Sequence, residues 1–136
     1  MNLNLYIKWK EEYLLGIPII DEQHRGIVSA INSLYYFIEE GQGLTILKPT
    51  INFINHYVNI HFSTEEKLIK EAGYPELEKH IPLHIKLTRN SAKIAKEAIE
   101  YSDATILLKF LRDWWINHIN IEDKKFAPFI KKYLGI

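Results

Sequence analysis

The chain has 136 residues, 47% hydrophobic and 25% charged, with 17 Lys plus Arg balancing 17 Asp plus Glu. That is the size and balance of one soluble domain with a sizeable core, and the zero net charge excludes the basic excess typical of nucleic-acid binders. There is no cysteine, which excludes disulfides, Cys-ligated zinc, iron–sulfur clusters and thiol catalysis; any metal must be held by imidazole and carboxylate.

Residues 1–18 read as an N-terminal arm carrying Tyr6, Trp9, Tyr13, Leu14 and Leu15, aromatic and apolar groups expected to pack on the outside of a body that follows. The start, Met1 to Glu12, lacks the apolar run of a signal peptide. No later stretch is long and apolar enough to span a bilayer. The expected location is therefore the cytoplasm, without membrane association.

Four helices follow. The first is expected near Asp21, a good capping residue, with a stripe of Ile20, His24, Ile27, Ile31, Leu34 and Ile38 ending at Gly41 and Gly43. The second begins between Leu44 and Thr50, because Pro49 fits best in a first turn. Its stripe reads Ile51, Ile54, Val58, His61, Glu65 and Leu68. The third starts around Pro75 or Glu76 with Leu77, His80, His84, Leu87, Ser91, Ile94 and Ala98 on one face, and Pro82 placed in its first two turns. The fourth is capped by Ser102 or Asp103, carries Leu107, Leu111, Trp114, His118 and Ile121, and is bounded by Pro128. Short connections between amphipathic helices predict an all-α, antiparallel up-down-up-down four-helix bundle over residues 19–128. A tail over 129–136 completes one domain of residues 1–136.

Five of the six histidines fall on these apolar stripes. Imidazoles and carboxylates are costly to bury unless something pairs with them. His61 and Glu65 stand one turn apart, as do His80 and His84, so each pair presents two groups about 40° apart on one face. The start of the first helix, the end of the second, the start of the third and the end of the fourth all lie at one end of an antiparallel bundle. His24, His61, His80, His84 and His118 therefore fall in one layer, and this agreement in depth is independent of the stripes. A single histidine on an apolar stripe is more often a hydrogen-bonded core residue than a ligand, but five would each need a private partner in the same layer. His56, five positions before His61, should point outward. On the fourth helix, spacing alone leans towards Glu122, four residues after His118, over Asp123, five after; a π-type turn would reverse the choice. The donor count suits two ions better than one, and the ligand chemistry fits iron, manganese or zinc.

The motifs Ile-Asp-Glu-Gln-His24, His61-Phe-Ser-Thr-Glu65, His80-Ile-Pro-Leu-His84 and His118-Ile-Asn-Ile-Glu-Asp123 resemble hemerythrin, specifically its single-domain bacterial and archaeal type. Trp9 in the arm and the Trp114-Trp115 pair are similar to the family as well. The resemblance implies two non-haem iron ions joined by an oxo or hydroxo bridge. His80, His84 and His118 would hold one. His24 and His61 would hold the other, which keeps an open position. Glu65 and Asp123 would bridge both. It decides for Asp123 over Glu122 and so predicts a distorted, π-bulged fourth helix near His118. The implied function is reversible binding of molecular oxygen for storage, delivery or scavenging, without enzymatic turnover. A monomer is the default expectation, with zero net charge and scattered surface aromatics leaving room for a dimer. An apolar pocket would be drawn from Ile27, Ile54, Val58, Phe62, Leu87, Leu111, Trp114 and Trp115. The alternatives are a di-iron enzyme acting on peroxide or nitric oxide, for which a tyrosine such as Tyr57 beside the open iron would speak, and an oxygen-sensing module.

Overall fold

The computed structural model describes residues 4–136, so the first three residues of the expected arm lie outside the described residues. The helices are α1 (Pro18–Glu39), α2 (Gly43–Glu71), α3 (Leu77–Glu100), α4 (Ala104–Trp114) and α5 (Asp123–Leu134). A π-helical segment, Trp115–Glu122, joins α4 to α5, so these three form one continuous rod. The connections 40–42, 72–76 and 101–103 are too short for anything but antiparallel neighbours. Helix α1 packs on α2 and α4, and α3 packs on α2 and α4, which is the ring order of an up-down-up-down bundle.

Helix α1 starts earlier than expected. Pro18 takes its first position, where the ring presets φ and the missing N–H is not needed. Asp21 is therefore inside the first turn. Its carboxylate accepts from the backbone N–H of Leu15 at 2.8 Å and of Gly16 at 3.1 Å, tying the arm to the helix instead of capping it. Asp103 is the cap of α4, accepting from the Thr105 N–H at 3.0 Å.

Two expectations built on proline are corrected. Pro49 lies well inside α2, which begins at Gly43. Pro128 lies inside α5, which continues to Leu134, so there is no separate tail from 129. In both cases the carbonyl left without a donor belongs to an exposed residue, Thr45 or Lys124, where water can serve it. Buried side chains on either side hold the helix together: Leu47, Thr50 and Ile54 around Pro49, and Phe126, Ala127 and Ile130 around Pro128. Gly135, at φ +72°, then ends α5 in a left-handed turn.

The arm is more deeply used than its expected outside position. Ile7, Leu15 and Ile17 are buried, and Asn32 on α1 clamps the backbone of Ile7 through both its N–H (2.8 Å) and its carbonyl (2.9 Å). The core divides into two apolar clusters. A large one gathers Ile27, Ile31, Leu34, Ile54, Leu107, Leu111 and Trp115. A smaller one at the other end gathers Leu15, Ile17, Ile20, Ile69, Phe126 and Ile130. The histidine layer lies between them.

Candidate metal centre

All seven residues singled out in the sequence meet in that layer. His24 comes from α1, His61 and Glu65 from α2, His80 and His84 from α3, His118 from the π segment and Asp123 from the first turn of α5. Each is between 0 and 4% exposed. His56, by contrast, is exposed on α2.

The π segment is what brings His118 and Asp123 to one face. The Asp123 N–H bonds to the His118 carbonyl five residues back, so one turn holds an extra residue. Glu122 is thereby turned outward, where it accepts from the Lys125 ammonium at 3.1 Å. The lean towards Glu122 from ideal spacing is overturned for this reason. The same extra residue displaces the apolar stripe: Ile119 is buried, whereas Ile121, expected inside, is 52% exposed.

Two groups of donor atoms result, each with all its atoms within 4.8 Å of one another: Glu65, His80, His84 and His118, and His24, His61, Glu65 and Asp123. Asp123 Oδ2 lies 3.1 Å from His24 Nε2 and 3.6 Å from His61 Nε2, while its Oδ1 lies 3.4 Å from His118 Nε2 and 3.8 Å from His80 Nε2. Glu65 Oε1 lies 3.3 Å from both His61 Nε2 and His84 Nε2, and 4.0 Å from His80 Nε2. Both carboxylates thus face both histidine sets.

These residues fit cations. The Nε2 atoms of His61, His80, His84 and His118, both oxygens of Glu65 and Oδ1 of Asp123 are buried without a hydrogen-bond partner among the described residues. Leaving that many polar atoms unsatisfied would be very costly. Of these seven separations only that between His24 and Asp123 is a hydrogen bond. The distances suit donors sharing a cation: atoms about 2.0–2.2 Å from one ion stand about 3 Å apart at right angles and about 4 Å apart when opposite.

Electrostatics prepares the layer for this. Burial, reinforced by neighbouring imidazoles, pushes the His84 pKa down to about 2 and that of His118 down to about 3. Burial also lowers His24 and His80. The rings are therefore neutral, with lone pairs free to bind. Burial raises Glu65 to about 8, and burial together with the Glu65 charge raises Asp123 to about 6. A cation entering at neutral pH displaces the Glu65 proton, so uptake should tighten as pH rises towards 8.

The stability of the metal-free chain should follow the same groups. Above the ordinary histidine value of 6.5 and up to about 8, the folded chain keeps a proton on Glu65 that the unfolded chain has lost, so stability falls as pH rises. Below 6.5 the unfolded chain protonates His84 and His118, which the folded chain leaves neutral down to about pH 3, and His24 and His80 are lowered in the same sense. These four outweigh the two carboxylates, so stability also falls as pH drops. Thermal melts of metal-free protein across pH should show a maximum near 6.5–7.

Two partners of the ring nitrogens were not legible in the sequence. His61 Nδ1 donates to Gln23 Oε1 at 3.0 Å. The Gln23 amide nitrogen in turn donates to Thr64 Oγ1 at 3.1 Å, and the Thr64 hydroxyl donates to the Ile60 carbonyl, which fixes the direction of the chain. His84 Nδ1 donates to Glu66 Oε1 at 3.2 Å. Each bond puts the ring proton on Nδ1 and leaves Nε2 facing the donor layer. Gln23→Ala should weaken metal binding about 10–100-fold, read by competition with a chelator.

An antiparallel bundle with two carboxylates shared between two imidazole sets in its dry interior is a cation-binding helical bundle of the carboxylate–histidine class. The chain matches the hemerythrin HHE cation binding domain model over residues 15–130, and it belongs to that family. It is 30% identical over 128 residues to the bacteriohemerythrin of Stenotrophomonas maltophilia, covering 93% of this chain and 83% of that protein. It is 32% identical over 122 residues to the bacteriohemerythrin of Methylococcus capsulatus, covering 86% and 90%. A crystal structure of a hemerythrin mutant superposes with a TM-score of 0.79 at 26% identity, covering 93% of this chain and 98% of that one.

Proposed function

We propose that this chain binds molecular oxygen reversibly at two non-haem iron ions, as a carrier, store or scavenger and not as an enzyme. The observation that carries the reading is the donor layer itself: five imidazoles and two carboxylates, buried and mutually oriented, with no other partner for most of their metal-facing atoms. His80, His84 and His118 would hold one ion and His24 and His61 the other, with Glu65 and Asp123 between them. Iron, when bound, supplies the electrons and the open position that oxygen requires.

The residues around the layer would keep the chemistry reversible. Phe62 stacks on His84 with centroids 3.8 Å apart, covering one face of that ring. Beyond it, Ile54, Val58, Leu87, Phe110, Leu111 and Trp114 line a cavity of about 10 Å³, room for about one water-sized molecule. Six of the eight pocket residues expected from the sequence line this cavity; Ile27 belongs to the core, and Trp115 packs on the His24 side. The Tyr57 hydroxyl lies over Gly26 of α1, where an added Cβ would collide with it. None of the described helices is long and apolar enough to cross a membrane. A cytoplasmic monomer is the form we assign.

The test is optical. Ferrous protein prepared without oxygen should gain a charge-transfer band on exposure to oxygen and lose it under vacuum. Irreversible oxidation, or turnover of peroxide or nitric oxide in place of a reversible adduct, would remove the carrier role.

A further inference from the structure

A path of oxidisable rings joins the donor layer to the surface. Trp115 is buried and stands edge-on to His24, with centroids 5.6 Å apart and planes at 86°. Its indole meets Tyr13 at 5.2 Å and Trp9 at 5.9 Å, and those two meet each other at 5.4 Å. Trp9 and Tyr13 are half-buried in the arm, next to exposed Lys10, Glu11, Glu12 and Leu14. Among the described residues the other aromatic side chains in ring contact with the donor histidines are Phe62 and Phe126, and a phenyl ring resists the agents that oxidise indole and phenol. Phe62 stands between His84 and Trp114.

Three local features give the path a direction. Among the described residues the buried Trp115 Nε1 has no hydrogen-bond partner, so an oxidised indole there finds no base to take its proton and stays a strongly oxidising radical cation. The Arg25 guanidinium lies 4.6 Å over the Trp9 ring, and its charge opposes a second positive charge on that indole. Tyr13 is a phenol, which on losing an electron releases its proton and becomes a neutral radical. The electron vacancy therefore settles on Tyr13.

We infer that Trp115 and Tyr13 form an electron-supply line from the surface to the donor layer, used when hydrogen peroxide oxidises a site whose iron is already ferric. The inference rests on the iron reading above. Trp115 gives up one electron and becomes its radical cation; Tyr13 returns one electron to Trp115 and releases one proton to water, becoming a tyrosyl radical; a thiol then transfers a hydrogen atom to Tyr13. Two such passages supply the two electrons and two protons that turn one peroxide into two waters, and the two thiyl radicals couple to a disulfide. Oxygen-binding iron that discharges its oxygen as peroxide would produce both the oxidant and the ferric state that need this line.

The test begins with the iron content. Ferric protein is mixed with hydrogen peroxide without thiol and frozen rapidly for electron paramagnetic resonance, and oxidised side chains are then located by peptide mass spectrometry. A tyrosyl radical and oxidation products at Tyr13 are expected. In Tyr13→Phe, with fold and iron content unchanged, most of the tyrosyl signal should be lost and oxidation should move inward to Trp115 and His24. In a second arm, metal-free protein is pulsed with azide radicals, which oxidise indoles in preference to phenols. The indole signal should decay as a tyrosyl signal grows, and Tyr13→Phe should remove most of that growth. The same tyrosyl yield in wild type and Tyr13→Phe would overturn the inference, in the second arm even if the chain takes up no iron. Absence of iron by itself counts against the oxygen-binding reading only.

Discussion

Asp123→Asn is expected to cost the chain its metal, whereas Glu122→Gln leaves the metal content unchanged. The two acids are adjacent, and on an ideal helix Glu122 would be the better placed. The π segment reverses this by fitting one extra residue between His118 and Asp123. Of these two acids, Asp123 is the one that reaches both imidazole sets, Oδ2 towards His24 and Oδ1 towards His118. An amide there loses the negative charge and offers one good donor oxygen where two are needed. The loss in affinity should exceed the about 10–100-fold typical of removing an outer partner such as Gln23. Glu122 faces Lys125 at the surface, and losing an exposed pair of this kind changes stability by at most about 1 kcal/mol. Elemental analysis of the two variants, purified alike, checks the prediction; equal metal content in both would place the shared carboxylate elsewhere.

Glu65→Leu is expected to abolish metal uptake and at the same time raise the melting temperature of metal-free protein. The carboxyl group is fully buried and both its oxygens lack hydrogen-bond partners among the described residues, so without a cation it destabilises the fold. Replacing an unsatisfied buried group by an apolar one of similar reach recovers about 1–3 kcal/mol. The gain should grow as pH rises from about 4.5 to about 8, where the unfolded chain has lost the Glu65 proton that the folded chain must keep, and level off above 8. The fall in metal-free stability above pH 6.5 should therefore disappear in this variant. A residue whose role is packing would show the opposite sign, a drop in melting temperature with or without metal. The opposition between metal binding and metal-free stability is thus a signature of a group held for function.

What could be read from the sequence follows from what side-chain periodicity encodes. The stripes through Ile20, His24 and Ile27, or Val58, His61 and Glu65, need only the helical repeat, and short loops fix the antiparallel order, so the donor layer was legible before any contact was known. Pro128 misled because its local preference to stop a helix is outweighed by Phe126 and Ile130 packing into the smaller core cluster. Ile121 misled because the π segment shifts the register after His118, and periodicity assumes a constant one. The choice of Asp123 came from resemblance to a family, not from spacing. Gln23 and Glu66 stayed hidden because their partners are on other helices, and no fixed spacing announces a contact between elements. Their only local trace is adjacency to the donors His24 and Glu65.

The most direct measurement is the iron content of protein reconstituted with ferrous iron in the absence of oxygen, taken together with its melting temperature. Two ions per chain are expected, one for each group of donors, with a melting temperature well above that of the metal-free form because only the folded chain offers the donor layer. A folded chain that retains no iron, and melts at the same temperature with and without it, would contradict the assignment of these histidines and carboxylates as a cation site.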